Sequence, residues 1–424
     1  MKTFFRQNSY IFFLQIIIIV GASIFSTSLY SQEVKKGWNF GPLPAISYNS
    51  DLGFQYGVLC DIYWFGDGSN YPEYLHKFNV EISHYTKGSG VYHLFYDSRY
   101  LISGLRVTAD ISYLTDRMMD FYGFNGYMSP YNSNYGDAFY KFDRNLFRST
   151  LDIQGSLGGK FSWVAGIGFY DYKAASVKAE EYEDYPKLYD LYVASGLIGA
   201  NEKRGGGVAE VKLGAVYDTR DNEADPYKGF KAELLTLYSI TNNKADNYGK
   251  IFASASTFIP LWGERLTFAA KGSWQGTMYG EQPFYMLQNI STLYYRQITN
   301  EGLGGLNTIR GVLRNRVVGA GIVWANIELR YRFAYFPFLG QNWYLALNPF
   351  FDAGAVVQYH KKESMQLFSA NPIYSGEKEA LHMSAGLGFK AVMNRNFIIS
   401  AEWGKPFDKR DGTNGLNIGL NFIF

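Results

Sequence analysis

A single cysteine, Cys60, stands in a chain of 424 residues, so no intramolecular disulfide can form. Five scattered histidines show no metal-ligand spacing, and neither a metal nor another cofactor is expected. The formal net charge of +2 argues against a nucleic-acid partner. The patterns G-x-S-x-G, G-K-[ST] and H-E-x-x-H are all missing. No enzyme is expected on that ground, and no small-molecule substrate is identified. After Phe25 no run of about 18 apolar residues occurs, which excludes membrane-spanning helices. The exception lies at the start. Lys2 and Arg6 precede the apolar stretch Ile11 to Phe25, and the small and polar residues STSLYS close it. That order marks residues 1–31 as a secretory signal, with cleavage expected near Ser31–Gln32. No cysteine follows the apolar run, so a lipid-anchored N-terminus is not expected.

What the chain has in quantity is aromatic residues and glycine. Tyrosine contributes 36 residues, phenylalanine 33 and glycine 45, while charged residues make up 18 % and mean hydropathy is −0.17. An exported, aromatic-rich and glycine-rich chain without apolar runs fits a transmembrane β-barrel, whose strands alternate apolar and polar residues. The alternation is visible. Leu105, Val107, Ala109, Ile111 and Tyr113 share one face, against Arg106, Thr108, Asp110 and Ser112. Phe161, Trp163, Ala165, Ile167 and Phe169 repeat the pattern, as do Leu381, Met383, Ala385, Leu387 and Phe389. A soluble sandwich alternates too, but its strands average about 5–6 residues, whereas these run to roughly ten, the length a tilted membrane strand needs.

Alternation and turn residues together predict sixteen strands, about 42–48, 53–65, 78–86, 91–101, 105–114, 148–157, 161–170, 208–217, 230–239, 250–259, 266–275, 321–333, 344–357, 381–391, 397–404 and 415–424. The connections give an independent check. Short ones (102–104, 158–160, 260–265, 392–396) follow even-numbered strands, and long ones (115–147, 171–207, 276–320, 358–380) follow odd-numbered strands. Outer-membrane barrels have short periplasmic turns and longer outer loops, so a periplasmic N-terminus explains the asymmetry. A short helix is expected within 176–203. The fold class is thus an all-β, 16-stranded antiparallel barrel in the outer membrane of a Gram-negative bacterium. Residues 32–424 are expected to form this one domain, since only about ten residues precede the first strand, too few for a core.

Four segments carry a family resemblance. The loop 276–320 contains Ile309-Arg310-Gly311-Val312, which resembles the (V/I)-R-G-(F/Y) signature of the BamA/TamA superfamily, also called the bacterial surface antigen domain; Val312 departs from its aromatic position. Phe350, Asp352 and Gly354 resemble its F-x-D-x-G motif on the thirteenth strand. The stretch Ala325 to Phe333 resembles its glutamate-bearing twelfth strand. Asp218, Arg220, Asp221, Pro226 and Gly229 resemble its D-x-R-D…P-x-x-G turn, read here as a periplasmic turn with local hydrogen bonds. The resemblance implies that the long sixth outer loop folds into the lumen and that Arg310 reaches lumenal carboxylates. Strand parity supplies two of them, Glu328 and Asp352, on neighbouring strands and both pointing inward. A guanidinium at ~4 Å would draw them together with about 4 kcal/mol gross in an intermediate dielectric.

Two further features concern the ends of the barrel. The final strand alternates Leu416, Ile418, Leu420, Phe422 and Phe424 with Asn417, Gly419 and Asn421, and resembles the terminal strand read by barrel-assembly machinery, with Phe422 and Phe424 as the signal. Pro42 and Pro44 fall in the first strand, which must close against the last; either they weaken that seam or they precede its paired region. By resemblance, the function is insertion of protein (or lipid) into the outer membrane or translocation across it. The surrounding lipid is one partner, and a protein in the periplasm or outer membrane is expected as another. A passive pore and a structural subunit of an envelope complex are the alternatives.

Overall fold

The computed structural model describes residues 34–424, apart from 50–51, 72, 178–185, 243–246, 294–301, 306, 339–340, 369–371, 396 and 421. The signal segment 1–31 lies outside the described residues. Sixteen antiparallel strands form one closed ring. Strand β1 is made of two pieces, Trp38–Pro44 and Ser47–Asn49, both paired to β2, Gly53–Trp64. There follow β3 (His76–Tyr85), β4 (Gly90–Ile102), β5 (Leu105–Asp120), β6 (Lys141–Gly158), β7 (Phe161–Ala175) and β8 (Gly205–Asp218). The second half comprises β9 (Gly229–Thr241), β10 (Tyr248–Trp262), β11 (Leu266–Tyr279), β12 (Gly321–Phe338), β13 (Gln341–Gln358), β14 (His382–Met393), β15 (Phe397–Pro406) and β16 (Gly415–Leu420). Each strand pairs with its sequence neighbour, and β16 returns to β1 through Ile418 and Tyr48.

Alternation sorts the side chains as bilayer physics requires, apolar outward and polar inward. On β5, Ile111 and Tyr113 are exposed to the outside, while Asp110 and Ser112 are buried inside the ring. On β7, Phe161, Ile167 and Phe169 point out; on β14, Leu387 and Phe389 point out while Ser384 and Lys390 point in. Among the described residues no helix is long and apolar enough to cross a membrane.

Several strands run further than the alternation predicts. β5 continues to Asp120 and β6 begins at Lys141, so the outer connection shrinks from 115–147 to 121–140. The reason is a ladder that continues as charge pairs, with Asp116 opposite Arg144 and Asp120 opposite Lys141. Such residues read as loop by composition. The last strand is shorter than expected. β16 stops at Leu420, and Phe422 lies buried inside the barrel instead of continuing the outward row.

Outside the membrane belt, the connections 121–140, 176–204, 280–320 and 359–381 pack on one another. Phe121, Phe124, Phe142, Tyr192, Phe284 and Met365 belong to one buried aromatic cluster there. The short helix expected in the fourth outer loop is present at Leu188–Ala194, and its Leu188, Tyr189 and Tyr192 face this cluster. A second apolar cluster lies within the ring. Loop residues Ile290, Leu293, Leu303, Ile309, Val312 and Val317 pack there against wall residues such as Leu235, Phe252 and Trp324.

Candidate functional site

Loop six connects β11 to β12 over residues 280–320, and its tip is a small hairpin. Leu303 and Val317 exchange backbone hydrogen bonds at 3.0 and 3.1 Å. Thr308 Oγ1 accepts from the Gly304 N–H at 2.8 Å, and the Gly305 N–H donates to Val312 O at 2.9 Å. Gly311 adopts φ +90°, which L side chains rarely take. The turn carries Arg310 inward, where it is 1 % exposed.

Every nitrogen of Arg310 donates to a carboxylate. Its Nε and Nη2 grip both oxygens of Asp352 at 2.8 Å each, and its backbone N–H donates to Asp352 Oδ2 at 3.0 Å. Its Nη1 pairs with Glu328 and also donates to Glu402 Oε1 at 2.9 Å. The guanidinium carbon sits 3.6 Å from the centroid of the Phe350 ring, a cation–π contact. The structure therefore brings Arg310, Glu328, Asp352 and Phe350 together. It adds partners that strand parity placed on the inner face without tying them to Arg310, and Glu402 besides. Lys390 donates to Glu402 at 2.8 Å, Arg330 donates to Glu328 at 2.9 Å, and Asn326 Nδ2 bridges Asp352 Oδ1 and Thr308 O at 2.8 and 2.6 Å. Three cations thus meet three carboxylates, which lowers the desolvation cost each would carry unpaired.

Glycines complete the fit. A Cβ on Gly354 would lie 2.8 Å from Ile309 Cδ1 and from Val323 O. The glycine of F-x-D-x-G thus makes room for the residue before Arg310. A Cβ on Gly311 would fall 2.4 Å from the carbonyl carbon of Gly404, and one on Gly404 2.6 Å from Arg310 O. The loop tip and β15 touch backbone to backbone. Val312 is buried in the apolar cluster beside Ile309, where an aliphatic side chain packs.

Two other parts of loop six are tied down. Arg314 bonds Asp120 at 2.7 Å and Asp116 at 3.0 Å on β5, and Arg316 donates to the carbonyls of Gly126, Ser129 and Arg410 in the outer loops. On the stem, Lys212 donates to Thr292 O and Leu293 O at 3.0 and 2.9 Å, and Lys250 and Gln275 donate to Asn289 O at 3.0 and 3.1 Å.

The turn 219–228 has the local bonds read from its sequence. Arg220 Nη2 grips Asp218 at 2.7 Å, and Asp221 Oδ1 accepts from the Tyr227 and Lys228 N–H groups at 2.9 and 3.0 Å. Pro226 is buried, and Gly229 has φ +111° where a Cβ would meet Thr219 O at 2.5 Å. The turn also makes long-range bonds that local reasoning did not predict.

The chain's last residues turn into the lumen. The Arg330 guanidinium stands 4.0 Å from the Phe422 ring and 5.0 Å from the Phe424 ring, and its Nη2 donates to Phe424 O at 2.8 Å. Those contacts account for the early end of β16. At the seam, Tyr48 opposite Ile418 is the one residue pair among the described residues. Pro42 and Pro44 lie on the N-terminal side of it, paired to Cys60 and Val58 of β2. The Ala45 N–H donates to Gly57 O, so odd positions bond toward β2 and both prolines turn donorless nitrogens to the seam.

Among the described residues no group of histidine, cysteine, aspartate and glutamate side chains is placed to hold a metal ion. What fold and site define is an outer-membrane β-barrel whose own sixth loop is ion-paired to its inner wall. Residues 76–424 match the Omp85 superfamily domain, and the chain belongs to that superfamily. Among solved structures, BamA from Haemophilus ducreyi lacking POTRA domains 1–3 is similar at TM-score 0.58 and 18 % identity, covering 92 % of this chain and 71 % of that one. CdiB from Escherichia coli is similar at TM-score 0.58 and 11 % identity; the match covers 93 % of this chain but 64 % of CdiB. At these identities the likeness concerns the fold. No curated protein matches the chain. The protein is a Gram-negative outer-membrane barrel of the type that includes BamA and CdiB.

Proposed function

We propose that this barrel inserts polypeptide (or lipid) into the outer membrane, or passes it across, together with a protein partner, and that the Arg310 network holds its resting state. The observation that carries the reading is the seam. β15 and β16 pair over Ile399 to Gly404, whereas among the described residues β16 meets β1 only at Ile418 and Tyr48. Each unmade ladder bond is one that need not be broken on opening, and an unpaired strand edge is a template for an incoming strand. Arg310 binds β12, β13 and β15, the last of which adjoins β16 at that seam, so its release would loosen the wall on that side. The same features argue against a passive pore. Loop six occupies the lumen with an apolar cluster and the outer loops cover it, so steady conduction in planar bilayers is not expected.

The test is a reversible lock. Tyr48→Cys with Ile418→Cys, in a Cys60→Ser background, would staple the seam under oxidising conditions. Quantitative proteomics of the outer membrane, with and without reductant, is the readout. Oxidation should deplete a set of client proteins or lipids, and reduction should restore them. A control staple at the outward pair Val58 and Ile82 should change nothing. An outer membrane of identical composition with the seam stapled would refute the proposal.

A further inference from the structure

The turn between β8 and β9 does more than reverse the chain. Internal bonds stiffen it: Asn222 Oδ1 accepts from the Ala224 and Asp225 N–H groups at 2.9 and 2.8 Å, in addition to the Asp218 and Asp221 bonds above. Its acidic side chains then reach around the ring. Glu223 accepts from Arg106 Nη1 on β5 at 3.2 Å and lies 3.6 Å from Arg99 Nη2 on β4. Asp225, fully buried, accepts from Arg332 Nη2 on β12 at 2.9 Å. Arg395, between β14 and β15, donates to Asp221 Oδ2 at 2.6 Å and to Asp225 O at 2.8 Å.

The geometry of the ring gives these contacts their meaning. Neighbouring strands lie about 4.8 Å apart, so β5 and β12 stand on nearly opposite walls and share no ladder. A segment of ten residues, 219–228, that bonds both must lie across the opening. All four arginines sit at the end of the barrel that carries the short turns, the periplasmic end. We propose that residues 219–228 are a periplasmic strap that closes the lumen independently of loop six. The barrel is then shut twice, by loop six and the outer loops on one side and by this strap on the other. Entry from the periplasm requires the ion pairs of Asp221, Glu223 and Asp225 to break. Arginine–carboxylate contacts, one of them on the fully buried Asp225, hold the strap at rest, yet they give way when a partner offers replacement charges.

A thiol-accessibility experiment tests this. Thr267 lies inward on β11, opposite Arg330 and therefore one step deeper than the strap contact at Arg332. In a Cys60→Ser, Thr267→Cys chain, a membrane-impermeant methanethiosulfonate reagent should react slowly. Adding Glu223→Gln and Asp225→Asn should speed labelling about tenfold or more, because the reagent rate follows local opening. Should that variant fail to fold, Arg395→Gln at the rim of the mouth carries the same comparison. A brace that serves stability alone would lower the melting temperature and leave the labelling rate where it was. Unchanged labelling in folded strap variants overturns the proposal. Seam stapling does not enter this measurement, so its outcome is separable from that of the proposed transport role.

Discussion

Arg310 joins three strands at one point, and the chemistry allows no ready substitute. Lysine has one compact ammonium and cannot span Asp352, Glu328 and Glu402 while lying flat on Phe350. Arg310→Ala leaves three buried carboxylates facing two cations and should cost about 3–5 kcal/mol. Arg310→Lys should recover less than half of that, read as the melting midpoint of the folded band on heat-modifiability gels. The close backbone contact makes a second prediction. Gly404→Ala drives a methyl into Arg310 O and should cost about 1–3 kcal/mol by overpacking. Gly272→Ala, where a Cβ meets nothing within 4 Å, should be neutral in the same assay. Strand parity made Glu328 and Asp352 legible because an inward carboxylate is marked by its outward neighbours. Glu402 carries the same mark, with Trp403 exposed beside it, but nothing in the sequence ties β15 to a loop tip ninety-two residues earlier. Gly354 was legible as a motif position, and only the packing of Ile309 gave its reason.

At the level of elements, alternation located all sixteen strands, and it failed where a strand leaves the ladder. Leu420 to Phe424 reads as a continuing row, yet Arg330 draws Phe422 inward, a cation–π contact that no periodicity encodes. Alternation says equally little about the outer loops, where apolar and aromatic residues pack without period. One of their joints should respond to pH. His360 follows β13, is 2 % exposed, meets the Phe124 ring edge-on at 4.7 Å, and exchanges backbone bonds with the Asn125 side chain at 2.8 and 2.7 Å. Burial, helped by neighbouring Lys361, pushes its pKa from 6.5 down to about 3. The folded loop therefore keeps a neutral imidazole, while the opened loop takes up a proton below about pH 6.5. Stability of this joint is complete above that value and is lost as the pH falls toward 3, by about 1.4 kcal/mol per unit. Proteolysis of the third and seventh outer loops should accelerate from pH 7 to pH 5, and His360→Leu should flatten the profile. A profile that is equally steep in the variant would mean that other groups govern the opening.

For the whole molecule, the odd–even asymmetry of connection lengths sets the expected orientation of the barrel. It could not reveal how the lumen is filled, because that depends on contacts between residues far apart in the chain. Loop six is held at three places, and Arg314 and Arg316 form the middle one through β5 and the outer-loop carbonyls. Its tip depends on Arg310, and its stem depends on Lys212, Lys250 and Gln275, which bind three loop carbonyls from β8, β10 and β11. The tip and stem bonds share no partner, so their losses should add. Releasing the tip alone leaves the stem and its apolar cluster in the lumen, and the loop has little freedom to move outward. Trypsin acting at Arg314 and Arg316 reports that freedom directly. The wild-type chain should resist cleavage there, and Arg310→Ala should be cut slowly. Arg310→Ala combined with Lys212→Met and Lys250→Met should be cut at least about tenfold faster than the single variant, since removing three buried charge-assisted bonds is worth roughly 1.5–3 kcal/mol apiece. Equal rates for the single and the triple variant would show that the stem bonds add nothing to the restraint on loop six once Arg310 lets go.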